Sequence, residues 1–596
     1  MKSRQIQFAL TASISVLFSL MVAFPLPAAD KSAAEPSGND AVQEVESLKA
    51  KLAGQQKQLE QLRLALEAQG KLIERMSASQ QAAQGRASAE AAPASESSPG
   101  VRNLGKVASL TPMVPAAALP PAAPLPALPA AAPAPAAAPQ GENAPKLSPL
   151  SIPIGSAWVT PIGFMDFTDV FRSTTGGSGI GTNFGGIPFS NTAAGRLTEN
   201  RFSAQNSRVG LRVDAKVRGA DVIGYLESDF LGNAPGNLAV SSNSATLRMR
   251  VYWVDVAKDK WEILGGQSWS MLTPNRRGLS ALPGDLFYSQ DMDTNYQVGL
   301  TWTRQPQFRF ILHASNKITW GVSFESAEQY MGGSAGGGTV TLPTALASPY
   351  GSQLNNGGSN TGVPNLHPDV ISKIAFDGRP NGHAVHFEVA GLLRSFKVFN
   401  PVSSRAFTTT GGGGSVNFNF ELVKNFRLIG DTFFSDGGGR YLFGQAPDLI
   451  VRGDGSPSLI HARSAIGGFE WNLRNSLLYA YYGGMYVGRN SAVDPANGKL
   501  VGYGFGGSSN GNNRNIQEAS FGLVQTFWRD PRYGALSLIT QYSYLTRDPW
   551  FVALGQPKNA HASMAFVDLR YTLPGSPTPA SEGTVLGPGN QQLKSP

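Results

Sequence analysis

From Trp158 to Leu573 the chain repeats with a period of two. In Ser207-Arg208-Val209-Gly210-Leu211-Arg212-Val213-Asp214-Ala215-Lys216-Val217 every odd position from Val209 is apolar or small, and nearly every even one is charged. Leu247, Met249, Val251 and Trp253 alternate with Arg248, Arg250 and Tyr252, and Val416, Phe418, Phe420 and Leu422 with Asn417, Asn419 and Glu421. Successive side chains of a strand point to opposite faces, so each stretch reads as a strand with one apolar and one polar face. A soluble sandwich would also show this pattern, and the connections decide between the two. Sixteen strand-like segments lie at about 160–172, 205–218, 220–231, 246–257, 260–271, 296–312, 317–326, 369–378, 382–395, 408–424, 426–436, 460–473, 475–488, 515–529, 534–548 and 560–573. Short turns and long Gly/Asn/Ser-rich loops alternate strictly between them. An even strand count with that asymmetry is what an outer-membrane barrel requires, with both ends of the barrel in the periplasm. Sixteen strands also enclose a water-filled lumen. The fold class expected is all-β, a 16-stranded antiparallel transmembrane β-barrel over 156–573, preceded by an N-terminal α-helical coiled coil.

Composition supports the barrel and excludes other classes. Charged residues are 15% of the chain, against roughly 25% in ordinary globular domains. Apolar residues reach only 41%, so a larger core has not replaced the charge; glycine (68) and the aromatics (Phe 31, Tyr 16, Trp 9) have risen instead. No long apolar run follows the N-terminus, which argues against a helical membrane protein. The absence of cysteine removes disulfides and thiolate metal sites. The net charge of +8 comes without a Lys/Arg run or a basic helix, so no nucleic-acid partner is expected.

The first 155 residues divide into three. Residues 1–29 read as a secretory signal, with Lys2 and Arg4 ahead of an apolar stretch and Pro27-Ala28-Ala29 at its exit. Residues 41–77 carry a heptad seam of Val45, Leu48, Leu52, Leu59, Leu62, Leu66, Ile73 and Met76, with Gln55 and Gln69 interrupting it. That is a coiled coil, which should join identical subunits in two or three strands. Residues 78–155 are an Ala/Pro-rich linker; its forty or so Pro-rich residues would extend on the order of 100 Å as polyproline. A tail, 574–596, follows the last strand.

Parity places Arg208, Arg212, Lys216, Glu227, Asp229, Arg248 and Arg250 in the lumen, six of them in one layer, Lys216 lying nearer the turn. Four arginines against two carboxylates predict a net positive patch, and rings of Arg or Lys favour anions in a pore. Arg309, Arg394 and Arg570 face inward by the same count, although Arg304 and Pro306 suggest a parity slip in the sixth strand. The segment Leu272 to Asn295, with Arg276, Arg277, Asp285, Asp291 and Asp293, is expected to fold into the lumen. Its place after the fifth strand matches the constriction loop of general porins.

No catalytic residue, cofactor or metal is expected. His383 and His386 are three apart, which on a strand points them to opposite faces. No H-E-x-x-H, phosphate-loop or G-x-S-x-G pattern occurs, and the glycines at 177, 179, 181 and 411–414 read as loop turns. An outer-membrane hydrolase is the least favoured class. Another alternative is a structural tether, with the coil and linker reaching peptidoglycan and the barrel as its lipid-embedded anchor.

Five stretches in order resemble the DcaP-like outer-membrane porins. They are Gly266-Gln267-Ser268-Trp269-Ser270, Arg304-Gln305-Pro306-Gln307-Phe308-Arg309, His367-Pro368-Asp369-Val370-Ile371, Ala390-Gly391-Leu392-Leu393-Arg394 and Asp436-Gly437-Gly438-Gly439-Arg440-Tyr441. The resemblance implies a homotrimer of sixteen-stranded barrels passing small, predominantly anionic solutes such as dicarboxylates; phosphate- or sugar-selective porins are the alternatives. The long linker and the internal position of Val567-Asp568-Leu569-Arg570-Tyr571-Thr572-Leu573 depart from that pattern.

Overall fold

The structure is a computed structural model that describes residues 148–576, apart from 177–178, 235–243, 282–286, 291–295, 334–337 and 356–363. The signal, the coiled-coil seam and most of the linker and tail lie outside the described residues.

Sixteen antiparallel strands close on themselves. They are β1 (Ala157–Arg172), β2 in two pieces (Glu199–Ser203 and Arg208–Val217), β3 (Ala220–Asp229), β4 (Arg248–Lys258), β5 (Trp261–Trp269), β6 (Arg304–His313), β7 (Ile318–Glu325) and β8 (Asp369–Gly378). The second half comprises β9 (Val385–Asn400), β10 (Arg405–Val423), β11 (Phe426–Asp436), β12 (His461–Leu473), β13 (Ser476–Val487), β14 (Asn513–Asp530), β15 (Gly534–Pro549) and β16 (Ala560–Thr572). Each pairs with its sequence neighbour, and β16 returns to β1 in register from Phe164↔Thr572 to Arg172↔Met564. The expected closing strand is therefore in place, despite the chain that follows it. One further segment, Ile152–Ile154, folds back on Val159 to Ala157, so the end of the expected linker is a hairpin arm of the barrel.

Alternation produces two faces, as the sequence requires. Met165, Phe167, Leu211, Met249, Val254, Ile263, Phe308, Ile374, Leu393, Phe521 and Leu569 are exposed on the outside. Their strand neighbours, including Asp166, Arg208, Asp255, Glu262, Arg309, Lys373, Asp568 and Arg570, are buried inside. A barrel with an apolar exterior and a polar lumen crosses the outer membrane with strands. Among the described residues no helix is long and apolar enough to do so.

The short connections are tight. Val217 pairs with Ala220 across Arg218 and Gly219, both at positive φ (50° and 80°), the pattern of a type I′ hairpin. All seven turns at this end carry Lys or Arg. Lys216 and Arg218 flank or fill the first, Lys258 and Lys260 the second, Lys317 the third and Arg379 the fourth. Lys424, Arg474, and the pair Arg529 and Arg532 serve the remaining three, and all ten side chains are exposed.

Three expectations need correction. The sixth strand begins at Arg304, not at 296, and residues 296–303 belong to the preceding loop. Its register with β5 runs unbroken, so the expected slip at Arg304 and Pro306 is absent. Gly411–Gly414 are not a loop but lie within β10, paired with Arg394 to Gly391 of β9, and the β9–β10 hairpin runs on to Asn400 and Arg405.

Candidate functional site

Strands β2 to β4 set the charged layer. Arg208 pairs with Asp229 across β2–β3, and Asp229 with Arg248 across β3–β4, so these three share one row. Between Met249 and Val251 the register jumps, because Glu227 pairs with Val251 and Ser228 with Met249. Arg250 is the extra residue of a β-bulge, the irregularity that re-aims a side chain. It turns the consecutive residues Arg250 and Val251 both inward and reverses the parity below them. Trp253 is consequently buried inside the barrel, stacked on Tyr225 at 5.3 Å, while Tyr252 faces out. The expected uninterrupted face of Leu247, Met249, Val251 and Trp253 is thus split in two.

The layer is a network of ion pairs. Arg250 donates from Nε to Glu227 at 2.8 Å and from Nη1 to Asp229 at 2.6 Å. Arg248 binds Asp229 with two nitrogens, at 2.9 and 2.6 Å, and Arg208 lies 3.6 Å from Glu227. Arg212 takes a partner the sequence reading overlooked, Asp214 two residues on and on the same face, at 2.7 Å. Every arginine of the expected patch is therefore paired, and four guanidiniums meet three carboxylates instead of two. The network extends across the closure seam, where Arg570 of β16 donates to Asp166 of β1 at 2.7 Å. Arg208 and Arg570 both lie over the Phe164 ring, at 5.0 and 4.4 Å.

The described residues of the loop between β5 and β6 pack against the inner face of the barrel wall. Wall carboxylates hold its backbone. Met271 N–H donates to Glu325 at 2.7 Å, Asn275 N–H to Glu388 at 3.2 Å, and Gly278 N–H to Asp377 at 3.0 Å. Val298 N–H donates to Glu518 at 2.9 Å and Thr301 N–H to Asp431 at 3.2 Å. Arg276 forms a bidentate pair with Glu470 of β12, at 2.7 and 2.6 Å. Burial opposes the charge on that guanidinium, but Glu470 outweighs it and holds the group more firmly protonated than an ordinary arginine. Gln290 accepts from Arg570 at 3.1 Å, which joins the loop to the charged network.

Loop and wall also meet backbone to backbone. A Cβ on Gly483 of β13 would collide with the Val298 carbonyl oxygen, and one on Gly299 (φ 101°) with that of Ala465. Substituting Gly483 with valine is expected to lift residues 296–303 off the wall. Hydrogen–deuterium exchange at Val298 would then rise by at least about tenfold, the equivalent of one lost hydrogen bond, whereas unchanged protection would show that the contact is dispensable.

The other expected lumen cations divide by exposure. Arg309 and Arg394 face inward but are enclosed, so they do not present themselves to solute. Arg309 binds Gln307 at 2.6 Å and the Trp269 carbonyl. Arg394 sits between Asp369, at 3.0 Å, and Asp448, at 2.9 Å. Lys216 is at the turn and lies 3.5 Å from Asp221. Arg277 is exposed, with no carboxylate partner among the described residues. Asp285, Asp291 and Asp293 lie outside the described residues. His386 contacts Asp377 at 2.9 Å and Glu388 at 3.1 Å, whereas His383 precedes the strand.

In two pairs the cation is the accessible member. Arg248 is 33% exposed against 1% for Asp229, and Arg276 20% against 2% for Glu470. In the Arg212–Asp214 pair the order is reversed, and the carboxylate is the more accessible member, 24% against 14%.

A closed sixteen-stranded barrel with a polar lumen and a loop fastened inside it defines an outer-membrane channel of the porin type. No family model and no curated protein matches the chain. Among solved structures it is similar to the outer membrane channel DcaP of Acinetobacter baumannii, at 17% identity over 70% of this chain and 97% of that one, with a TM-score of 0.50. That likeness establishes the fold. Weaker likenesses are OprB of Pseudomonas putida (10% identity, 69% and 94% covered, TM-score 0.39) and an anion-selective porin from Comamonas acidovorans (12% identity, 70% and 99% covered, TM-score 0.38).

Proposed function

We propose that the chain is a DcaP-like porin through which small hydrophilic anions, dicarboxylates foremost, diffuse passively. The observation that carries this reading is the unequal exposure within the ion pairs. Pairing nearly cancels the charge of the layer, but the Arg248 and Arg276 side chains stay partly accessible while their carboxylates are covered. A solute meets the cation first. A guanidinium fork holds a carboxylate through two parallel hydrogen bonds, and a dicarboxylate can engage two such forks. In this reading the barrel is the subunit of a homotrimer, and residues 41–77 join the three chains in the periplasm.

Zero-current potentials across a salt gradient test the selectivity. The wild type is expected to prefer anions, and Arg248→Gln with Arg277→Gln to move the potential toward cations. About 1–4 kcal/mol of attraction is at stake for a charge pair at 4 Å, depending on how much water intervenes. A cation preference in the wild type would overturn the proposal. Liposome swelling with succinate, phosphate and neutral sugars then ranks the solutes, and succinate should enter fastest.

A further inference from the structure

The lumen arginines are matched by carboxylates, yet the chain carries a net charge of +8. Much of that excess sits on the rim formed by the seven short turns. Ten cations stand there, and six carboxylates, Asp221, Asp259, Glu262, Asp377, Glu421 and Asp530, lie in the same turns or the rows beside them. Only Lys216 has an ion-pair partner among the described residues. The other nine are exposed, the reverse of the arrangement inside the barrel.

We propose that this rim binds the anionic headgroups of phospholipids in the periplasm-facing leaflet and surrounds the barrel with a shell of acidic lipid. The inference rests on the outer-membrane reading above. Its depth comes from the aromatic side chains beside the cations. Trp261 adjoins Lys260, Trp528 adjoins Arg529, Trp471 is three residues from Arg474, and Phe376 is three from Arg379; all four aromatics are exposed on the outer face. Tryptophan and tyrosine mark the boundary between hydrocarbon and headgroups, and the cations lie one step beyond that belt, where phosphates lie. Lys258 continues the outward series Tyr252, Val254 and Val256, so its stem runs along the lipid face. The tight turns keep the charges at this level, because two residues cannot carry them away from the surface.

A soluble anion would be served by charge turned into the mouth of the lumen, as Lys216 is, whereas Lys258 lies on the lipid face and exposed aromatics flank Lys260, Arg379, Arg474 and Arg529. Anionic headgroups attract each Lys or Arg near the surface by an amount that falls off within a Debye length.

Tryptophan fluorescence of the full chain, reconstituted with brominated lipids, tests the proposal. Trp261, Trp471 and Trp528 report on the belt. In equimolar mixtures, quenching by brominated phosphatidylglycerol should exceed that by brominated phosphatidylcholine, by a factor corresponding to about fivefold preference for each contacted cation. Replacing Lys258, Lys260, Arg379, Arg474 and Arg529 with glutamine should reduce the preference to under about twofold, as should high salt. Equal quenching in the wild type, or a preference that survives in the variant, would overturn the proposal. So would an unchanged lipid preference combined with a shifted zero-current potential in neutral-lipid bilayers, since the ring would then serve solutes. Conductance of the same preparations is the control. If the lipid preference fails while conductance is intact, the channel reading still stands.

Discussion

Arg250→Gln is expected to destabilise the folded barrel by about 3–5 kcal/mol, the cost of removing one member of a buried ion pair. Arg250 is 1% exposed and is bonded to both Glu227 and Asp229. Glutamine leaves those carboxylates with less compensation in a site already withdrawn from water. Lysine should recover part of the loss, because a single ammonium keeps the charge but cannot present the planar fork. The readout is the urea midpoint of the folded, heat-modifiable form. A midpoint matching the wild type would mean that water enters the network and carries the charges. Arg248→Gln serves as the contrast, since a third of that side chain is exposed, and it should alter selectivity with little change in midpoint.

Cutting Glu388 and Glu470 back to alanine together should release the first limb of the inner loop and raise single-channel conductance. Glu388 accepts from the backbone and the side chain of Asn275, and Glu470 holds Arg276 through both carboxylate oxygens. Hydrogen bonds to charged groups contribute about 1.5–3 kcal/mol each, so the double variant removes enough to let this limb leave the wall. Liposomes carrying it should admit larger solutes than the wild type does. If conductance stays the same, the attachments made by Glu325, Glu518 and Asp431 hold the loop without help.

The period of two and the alternation of connections made the barrel legible before any coordinates, down to the closing strand. The failures have specific causes. Tyr296, Val298, Leu300 and Trp302 alternate like a strand facing lipid, but they are buried between loop and wall. Packing on both sides produced the same pattern that a membrane produces on one. The bulge at Arg250 was invisible because a one-residue insertion leaves the composition of both faces plausible on either side of it. Asp214 lay in plain view two residues from Arg212, and counting the carboxylates on a strand's own face would have found it. The same parity count would have picked out Glu325, Glu388, Asp431, Glu470 and Glu518 as inward carboxylates. That the loop backbone would claim them depends on contacts up to about 220 residues apart in sequence, such as Val298 to Glu518, which no local pattern encodes.

The seam between β1 and β16 also sets an order of events in time. Arg570 and Asp166 are 404 residues apart, and closing a loop of that length costs on the order of 5 kcal/mol in chain entropy. That cost is recovered only when the last strand zips along the first. The same arginine reaches Gln290 of the inner loop, so the closed seam and the seated loop share a contact. Reopening the barrel would mean breaking the whole β1–β16 ladder from Phe164 to Arg172, so the first and last strands together act as the lock on a lumen whose contents they also touch.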